Sequence, residues 1–193
     1  MTENDIVFPD SDVIEAEIKR ERYKRKYKAS LKSTLFTLIT VSAIAILVAT
    51  LWLPVLQTYG SSMTPSIEDG DIVVSTKSGN FETGDIIAFY YNNKVLIKRV
   101  IAVSGQWVNI KPDGTVILDD HELIEPYISY KAFGECDIKL PYQVPEGKIF
   151  VMGDHRSVSV DSRSSVIGCV SEEQIVGKIV FRVWPIDKFG SLQ

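Results

Sequence analysis

Three separated stretches of the chain carry side chains that could together perform nucleophilic chemistry. Ser62 lies in the polar turn 60–65, and Lys98 lies in the aliphatic run 94–103. A third stretch, residues 153–163, is rich in charges and hydroxyls. A serine hydroxyl becomes a good nucleophile when a neighbouring base removes its proton. A lysine can be that base when burial lowers its pKa. The sequence therefore predicts a serine–lysine pair supported by the third stretch.

The residues around Lys98 favour this hypothesis. Side chains alternate between the two faces of a β-strand, so Lys98 is expected to share its face with Leu96, Val100 and Ala102. An apolar face favours the neutral amine over the ammonium. A lysine that extends to solvent from a strand edge would give the same pattern, so the pattern alone leaves both interpretations open.

Ser62 is less informative by itself, because serines are common in turns. Gly60 allows backbone angles that bring the chain close to a substrate, and Pro65 stiffens the chain that follows. Ser62 also comes nine residues after Leu53, where a long apolar segment ends. Even a fully extended chain keeps the hydroxyl within about 30 Å of that segment, which suits a bond presented close to a membrane.

The apolar segment 33–53 contains no charged residue over 21 positions. As a helix it would be about 31 Å long, the thickness of the hydrocarbon core of a bilayer. A cleavable signal sequence would be shorter and would be followed by a small-residue cleavage site, whereas this segment ends in Trp52-Leu53-Pro54. We therefore expect an uncleaved, single transmembrane helix over residues 33–53.

The basic residues that precede this segment predict its orientation. Residues 1–32 carry eight Lys and Arg, all between Lys19 and Lys32. By the positive-inside rule, residues 1–32 form a cytoplasmic basic tail and the chain after Pro54 lies outside the cytoplasm. A solvated helical face is the other interpretation of the same charges.

The chain from Asp71 onward predicts a mainly β, antiparallel domain over residues 54–193. The residue pair Asn92-Asn93 between two β-rich runs is typical of a hairpin turn. A helical turn is expected near Glu172–Val176. The strands are short enough for a partly open barrel or for paired sheets. The expected strands are residues 71–74, 86–91, 94–103, 149–152 and 178–184.

Composition excludes several other functions. A net charge of −4 and a pI near 5.3 give no signal of nucleic-acid binding. Two histidines, His121 and His155, without a CxxC spacing argue against a metal site. Cys136 and Cys169 could form a disulfide or pack as thiols, and the sequence leaves this open. No cofactor is expected, because serine–lysine chemistry needs only the two side chains and water.

Four segments of the chain, in order, resemble the motifs of bacterial type I signal peptidases. Residues 62–71 resemble the nucleophile motif S-M-x-P-[ST]-[LI]-x-x-G-D, and residues 84–87, G-D-I-I, resemble the motif that follows it. Residues 98–101, K-R-V-I, resemble the motif that begins with the general base. Residues 153–163 resemble the last motif, G-D-N-R-D-N-S-x-D-S-R. The single apolar segment is similar to the anchor of the family's shorter members.

The resemblance implies a role for each matching residue. Ser62 would attack the scissile carbonyl, and Lys98 would act as the general base and then as the acid for the leaving amine. Ser159 would hydrogen-bond and orient the Lys98 amine. Asp161 and Arg163 would form an ion pair that supports the wall of the site.

The resemblance also implies the substrates and the surroundings. Secretory preproteins whose signal peptides end in A-x-A-like sites would be cut, because small side chains fit shallow pockets lined by the backbone around Met63. The lipid bilayer would hold the enzyme, whose oligomeric state stays unassigned. The stretch between the third and fourth motifs is short, so a small second subdomain is expected over about residues 108–145.

The chain departs from the family pattern at several positions. His155, Ser157 and Val158 stand where the pattern has Asn, Asp and Asn. Some members have a hydroxyl two residues before the nucleophile that assists the oxyanion hole, and here that position is Gly60. Backbone N–H groups, including that of Ser62, would then carry more of this stabilisation.

Three alternatives stay open. A triad of Ser62, His155 and Asp161 would use the histidine as the base. A self-cleaving protease would need a small-x-small site in a linker of its own chain, and residues 56–59 are a poor candidate. A membrane-anchored binding domain without catalysis would release no product from a precursor.

Overall fold

The structure, a computed structural model, describes residues 10–77 and 79–192. Its first element is a 42-residue helix, α1, over Ser11–Trp52. The expected apolar span 33–53 therefore lies within one continuous helix except for its last residue, Leu53. The helix is followed by Pro54, which has no backbone N–H to continue the helical hydrogen bonds.

The apolar part of α1 is exposed along the length that the structure describes. The stretch Ile14–Val48 is long and apolar enough to cross a membrane, with a mean hydropathy of 2.0 in its most apolar window and none of that window buried. An apolar surface of this size is stable when lipid covers it. The helix is compatible with a membrane anchor. It forms a unit of its own, which ends near Ala49.

The residues from Thr50 onward form a second unit built from two antiparallel sheets. The strands are β1 Val55–Gln57, β2 Ile72–Thr76, β3 Ile86–Tyr91, β4 Lys94–Ala102, β5 Trp107–Ile110, β6 Val116–Leu118, β7 His121–Glu122, β8 Tyr142–Gln143, β9 Lys148–Met152, β10 Val170–Ser171, β11 Ile175–Trp184 and β12 Gly190–Ser191. The larger sheet has the strand order β1-β2-β11-β3-β4-β9-β10, with β12 paired to β11, and the smaller has the order β7-β6-β5-β8. Short 3₁₀ helices lie at Glu172–Gln174 and Ile186–Lys188.

The strand β4 lies in the interior of the larger sheet. A hairpin joins it to β3 through Asn92 and Asn93, whose positive φ angles of 44° and 63° fit a type I′ turn. In this register Lys98 pairs with Ile87 across the hairpin. The other edge of β4 pairs with β9, which leads directly into residues 153–163. The sheet therefore brings two of the predicted site segments together.

Burial along β4 does not alternate as the sequence pattern predicted. All five residues from Lys98 to Ala102 are buried, because both faces of this central strand are covered. The pairing with β9 is also irregular between Val100 and Ala102. Ile101 and Ala102 consequently pack in the same core cluster. The alternation that was expected to place Ala102 on the same face as Lys98 therefore breaks down. The apolar setting of the lysine comes from burial on both sides of the strand.

The mainly antiparallel β fold predicted from the sequence is confirmed. The smaller sheet lies within residues 107–143, which nearly coincides with the stretch expected to form a second subdomain. The helical turn expected near residues 172–176 is a 3₁₀ helix of three residues, and β11 begins at Ile175, earlier than predicted. Cys136 and Cys169 are free thiols.

Candidate active site

The structure brings the side chains of Ser62 and Lys98 into contact. Lys98 Nζ lies 2.7 Å from Ser62 Oγ, at hydrogen-bond distance. Ser62 is half-buried in the turn that follows β1, whereas the Lys98 side chain comes from the middle of β4 and is only 4% exposed. The candidate nucleophile and the candidate base, separated by 36 positions in the sequence, therefore meet at one point of the fold.

Burial changes the acidity of Lys98. Removing the amine from water disfavours its charged form, and this lowers the pKa of Lys98 from 10.5 to about 8. The positive charge of Arg163 lowers this pKa further, while Asp161 and Asp154 oppose the shift. A substantial fraction of the amine is therefore neutral near pH 8 and able to accept a proton.

The turn that carries Ser62 is fixed on both sides of the nucleophile. The backbone N–H of His155 donates a hydrogen bond of 3.1 Å to the Ser62 carbonyl, which ties the turn to the stretch 153–163. The next side chain, Met63, is 4% exposed and packs in a core cluster with Ile67 and Ile86. The hydroxyl of Ser62 is thus presented by a backbone with little freedom to move.

Gly60 occupies a backbone conformation that favours glycine. Its φ is +89°, and its N–H donates a 2.7 Å hydrogen bond to Asp69 Oδ1. The N–H of Ser62 makes no hydrogen bond within residues 10–77 and 79–192. Of these two backbone donors, the N–H of Ser62 is therefore the one that can bind a ligand.

Asp161 and Arg163 form a buried ion pair. Arg163 Nε donates to Asp161 Oδ1 at 2.8 Å, and neither side chain is exposed. The other carboxylate oxygen accepts a 2.9 Å hydrogen bond from the backbone N–H of Gly153. Arg163 also donates to the carbonyl of Phe133 at 2.8 Å. The pair therefore joins two segments near Lys98, residues 153–163 and the loop that contains Phe133.

Gly153 lies where a side chain would not fit. A Cβ on this residue would come within 2.3 Å of Ser159 Oγ and 2.5 Å of the Ser62 carbonyl oxygen. Ser159 is buried, and its hydroxyl has no hydrogen-bond partner in the part of the chain that the structure describes. The hydrogen bond from Ser159 to the Lys98 amine that the resemblance implies is thus not formed in this structure.

His155 does not lie where a catalytic triad requires it. Its Nδ1 is 3.0 Å from Thr64 Oγ1 and 3.2 Å from the Ser61 carbonyl oxygen. Within the described residues it makes no hydrogen bond with Ser62 Oγ or with Asp161, whose carboxylate is bound to Arg163. The imidazole braces the nucleophile turn instead.

Two further buried ion pairs were not predicted from the sequence. Arg99 binds both oxygens of Asp154, at 2.9 and 2.7 Å, and its guanidinium lies 3.9 Å from the centre of the Tyr127 ring. Arg156 binds both oxygens of Glu125. Arg99, Asp154 and Arg156 lie in the motifs quoted above. Several charges in one motif indicate that each needs a partner of opposite charge when the motif is buried. Nothing in the sequence around Glu125 or Tyr127 identifies them as those partners.

A small cavity, called here the catalytic pocket, opens beside the two reactive side chains. Its volume is about 120 Å³. Ser62 and Lys98 line it together with Gly60 and Met63, and most of the other lining side chains are apolar. Its remaining lining residues are Leu56, Gln57, Thr58, Tyr59, Ile67, Val95, Leu96 and Ile97.

Comparison with known proteins identifies the family. Residues 31–184 match the model of the family described as "Signal peptidase, peptidase S26". The chain belongs to this signal peptidase family. Signal peptidase IB of Staphylococcus aureus (strain COL) is 38% identical over 150 residues, which cover 67% of this chain and 77% of the relative. The family suggested by the four motifs is therefore confirmed.

Two other proteins match at lower identity. Thylakoidal processing peptidase 1 of Arabidopsis thaliana chloroplasts is 34% identical over 145 residues, covering 66% of this chain and 41% of the plant protein. A crystal structure of a signal peptidase I from Enterococcus faecalis V583 has 28% identity and a TM-score of 0.44, and covers 51% of this chain and 96% of that one. As a signal peptidase family member, the chain is a serine endopeptidase that removes signal peptides from secretory preproteins.

Proposed function

We propose that this signal peptidase uses a serine–lysine dyad, in which Ser62 is the nucleophile and Lys98 the general base. The observation that carries the proposal is the 2.7 Å separation of Lys98 Nζ from Ser62 Oγ, together with the burial of the lysine. A base within hydrogen-bond reach of a hydroxyl, with a pKa near the working pH, can take its proton during attack.

The dyad accounts for every proton of the reaction. Neutral Lys98 takes the Ser62 proton as Oγ bonds to the scissile carbonyl carbon. The Lys98 ammonium then gives that proton to the leaving amine as the C–N bond breaks and the acyl enzyme forms. A water attacks the acyl enzyme while Lys98 takes one of its protons, and Lys98 returns a proton to Ser62 Oγ. Each half of the reaction needs Lys98 to begin neutral.

We assign the stabilisation of the oxyanion to the Ser62 backbone N–H. Donors aimed at the developing negative charge lower the barrier of acyl transfer. Gly60 has no hydroxyl to offer, and its N–H is bound by Asp69 at 2.7 Å. The Ser62 N–H has no partner among the described residues, which supports this role.

We assign the remaining predicted residues to the support of Lys98. Ser159 is proposed to orient the amine during turnover, since its buried hydroxyl has no other partner in the part of the chain that the structure describes. The Asp161–Arg163 ion pair is proposed to hold the surrounding loops. It also leaves Asp161 unable to act as a dedicated counterion for Lys98, because Arg163 binds both of its oxygens.

The catalytic pocket supports cleavage after small-x-small sites such as A-x-A. Its volume of about 120 Å³ and its apolar walls, which include Met63, suit a methyl side chain. A larger residue next to the cut would have to displace core side chains such as Ile67, which is 2% exposed. Preproteins whose signal peptides end in small residues are therefore the proposed substrates.

The position of the enzyme in the membrane follows from its charge distribution. We propose that α1 crosses the bilayer once, with the basic residues between Lys19 and Lys32 on the cytoplasmic side. The catalytic domain, residues 54–193, then lies outside the cytoplasm. A nucleophile close in sequence to the membrane segment would meet signal peptides as they leave the bilayer.

The proposal is tested by cleavage of a precursor with an A-x-A site across pH, with the full chain in detergent. The wild type is expected to cut after that site, and Lys98→Ala and Ser62→Ala are each expected to lose at least about a thousandfold in kcat/KM. Lys94→Ala is the matched control, since Lys94 is an exposed lysine on the same strand and should cut like the wild type.

Each alternative gives a different result in the same assay. If Lys98→Ala still cuts and His155→Ala does not, the triad replaces the dyad. Cleavage of the enzyme itself, with no product from the precursor, would favour self-processing. If the folded wild type is inert on several precursors, the result favours a binding domain or an enzyme for a dedicated substrate.

A further inference from the structure

A second cavity borders the nucleophile turn. Its volume is about 220 Å³. Thr64 and Pro65, which closely follow Ser62, form one wall of it, and none of its lining residues belongs to the catalytic pocket. The nucleophile turn therefore contributes to two cavities, one at Ser62 and one immediately after it. The other residues that line the second cavity are Ser129, Tyr130, Asp154, His155, Arg156 and Ser157.

The two charged residues of the second cavity are neutralised by partners. Asp154 is bound by Arg99 through both carboxylate oxygens. Arg156 is bound by Glu125, and its Nε donates to the Gly153 carbonyl at 3.1 Å. All four side chains of these pairs are at most 1% exposed. The cavity is thus built on a fixed base that carries no unpaired charge.

The remaining polar groups of the second cavity are open to a ligand. The imidazole of His155 makes its contacts with Thr64 Oγ1 and the Ser61 carbonyl through Nδ1. Its Nε2 makes no hydrogen bond with any residue that the structure describes. Ser129 and Ser157 add hydroxyls to the lining, and Tyr130 is 83% exposed. Most residues that line the second cavity are of polar types, whereas aliphatic residues and Met63 make up half of those that line the catalytic pocket.

We propose that the second cavity is the subsite for the residues that follow the scissile bond, and that it favours a polar side chain there. The inference rests on the proposed function, in which the catalytic pocket takes the small residues before the cut. A peptide bound across Ser62 must continue past the nucleophile, and the second cavity begins two residues further along the same turn. Its hydroxyls and the free Nε2 of His155 match hydrogen-bonding side chains of the leaving chain.

The test compares precursor peptides that are identical up to an A-x-A site and carry Gln or Leu immediately after the cut. Gln and Leu have similar size, so the ratio of their kcat/KM values reports hydrogen bonding. Full-length wild type in detergent is expected to prefer Gln by about fivefold, the value of one ordinary hydrogen bond. Tyr130→Ala and Ser129→Ala are each expected to reduce this ratio towards one.

Two controls separate recognition from a general defect. Tyr90→Ala removes another exposed tyrosine, on β3, and should keep the wild-type ratio. A second peptide pair, with Ala or Val three residues before the cut, should be discriminated equally by wild type, Tyr130→Ala and Ser129→Ala. A structural defect would lower the cleavage rates of all four peptides and would leave both ratios unchanged. A loss of recognition would change the Gln/Leu ratio alone.

The possible failures are distinguishable. If the wild type cuts at the A-x-A site but treats Gln and Leu alike, or if neither variant changes the ratio, the subsite is overturned and the proposed function is unaffected. If the variants instead change the preference before the cut, the second cavity serves the acyl side and the inference is wrong. If the wild type cuts no peptide, the subsite and the proposed function fall together.

Discussion

Two neighbouring residues of β4, Lys98 and Arg99, are both buried cations, and they differ in their partners. Arg99 is bound by both oxygens of Asp154. It is 1% exposed, so water does not compete for this contact. Lys98 is 4% exposed, and among the residues that the structure describes its one hydrogen-bond partner is the hydroxyl of Ser62. Burial with a counterion gives a permanent structural cation, whereas burial without one gives an amine that can lose its proton.

The carboxylates near Lys98 explain how this difference is maintained. Asp161 and Asp154 are the groups whose charge favours the ammonium form of Lys98. Each is already bound by an arginine through both of its oxygens, Asp161 by Arg163 and Asp154 by Arg99. We propose that the arginines hold these two acids, while burial keeps the pKa of Lys98 low.

The largest expected effect comes from removing the counterion of Arg99. Asp154→Ala leaves a buried guanidinium without a carboxylate, and such unpaired charges destabilise proteins by about 3 to 5 kcal/mol. Thermal unfolding of the full chain in detergent measures this loss. The double variant Arg99→Met/Asp154→Ala should recover much of the stability, because it removes both charges. Equal stability of the two variants would show that the pair does not hold the charge of Arg99.

Replacing Lys98 with methionine should stabilise the fold, which is the opposite of the effect expected for Asp154→Ala. The pKa of Lys98 is lowered from 10.5 to about 8 on folding, so the unfolded chain binds more protons between these values and stability rises with pH across them. The burial penalty is fully present below pH 8. Lys98→Met removes this penalty, so its stability advantage over the wild type should shrink by about 3 kcal/mol as the pH rises from 8 to 10.5.

Denaturant unfolding of both proteins across this pH range checks the prediction. Other titrating groups cancel in the difference between the two proteins. A difference that does not vary between pH 8 and pH 10.5 would mean that Lys98 has an ordinary pKa in the folded enzyme.

A smaller effect is expected when Asp161 is released from Arg163. In Arg163→Met the carboxylate becomes free to favour the Lys98 ammonium, and a positive charge that lowers the pKa of Lys98 is lost. Both changes raise that pKa, so the rising limb of kcat/KM should move from about pH 8 to a value about one unit higher. Arg163→Lys keeps the charge and should keep the limb near its wild-type position. Superimposable profiles for all three enzymes would contradict the role given to Arg163.

The sequence predicted the reactive pair better than its surroundings. The apolar residues near Lys98 left both burial and exposure of the lysine open, and the motif order joined it to Ser62. The broken alternation after Val100 could not be predicted, because it depends on irregular pairing with a strand some 50 positions away. Glu125 was missed for a related reason: it pairs with Arg156 only because the chain after the smaller sheet folds back. Strands of two or three residues, such as β7, have too few positions to show a period.

The smallest effect is expected at an ion pair that lies in water. Lys188 Nζ and Glu68 Oε1 are 2.7 Å apart, the same distance as the closest contact of Arg99 with Asp154, yet their side chains are 39% and 48% exposed. Water and salt screen this pair, and ordering two long side chains offsets the remaining attraction. Glu68→Gln should therefore leave the unfolding midpoint of the full chain unchanged within error at 0.15 M salt. A loss as large as that of Asp154→Ala would show that distance, and not burial, decides what an ion pair contributes in this protein.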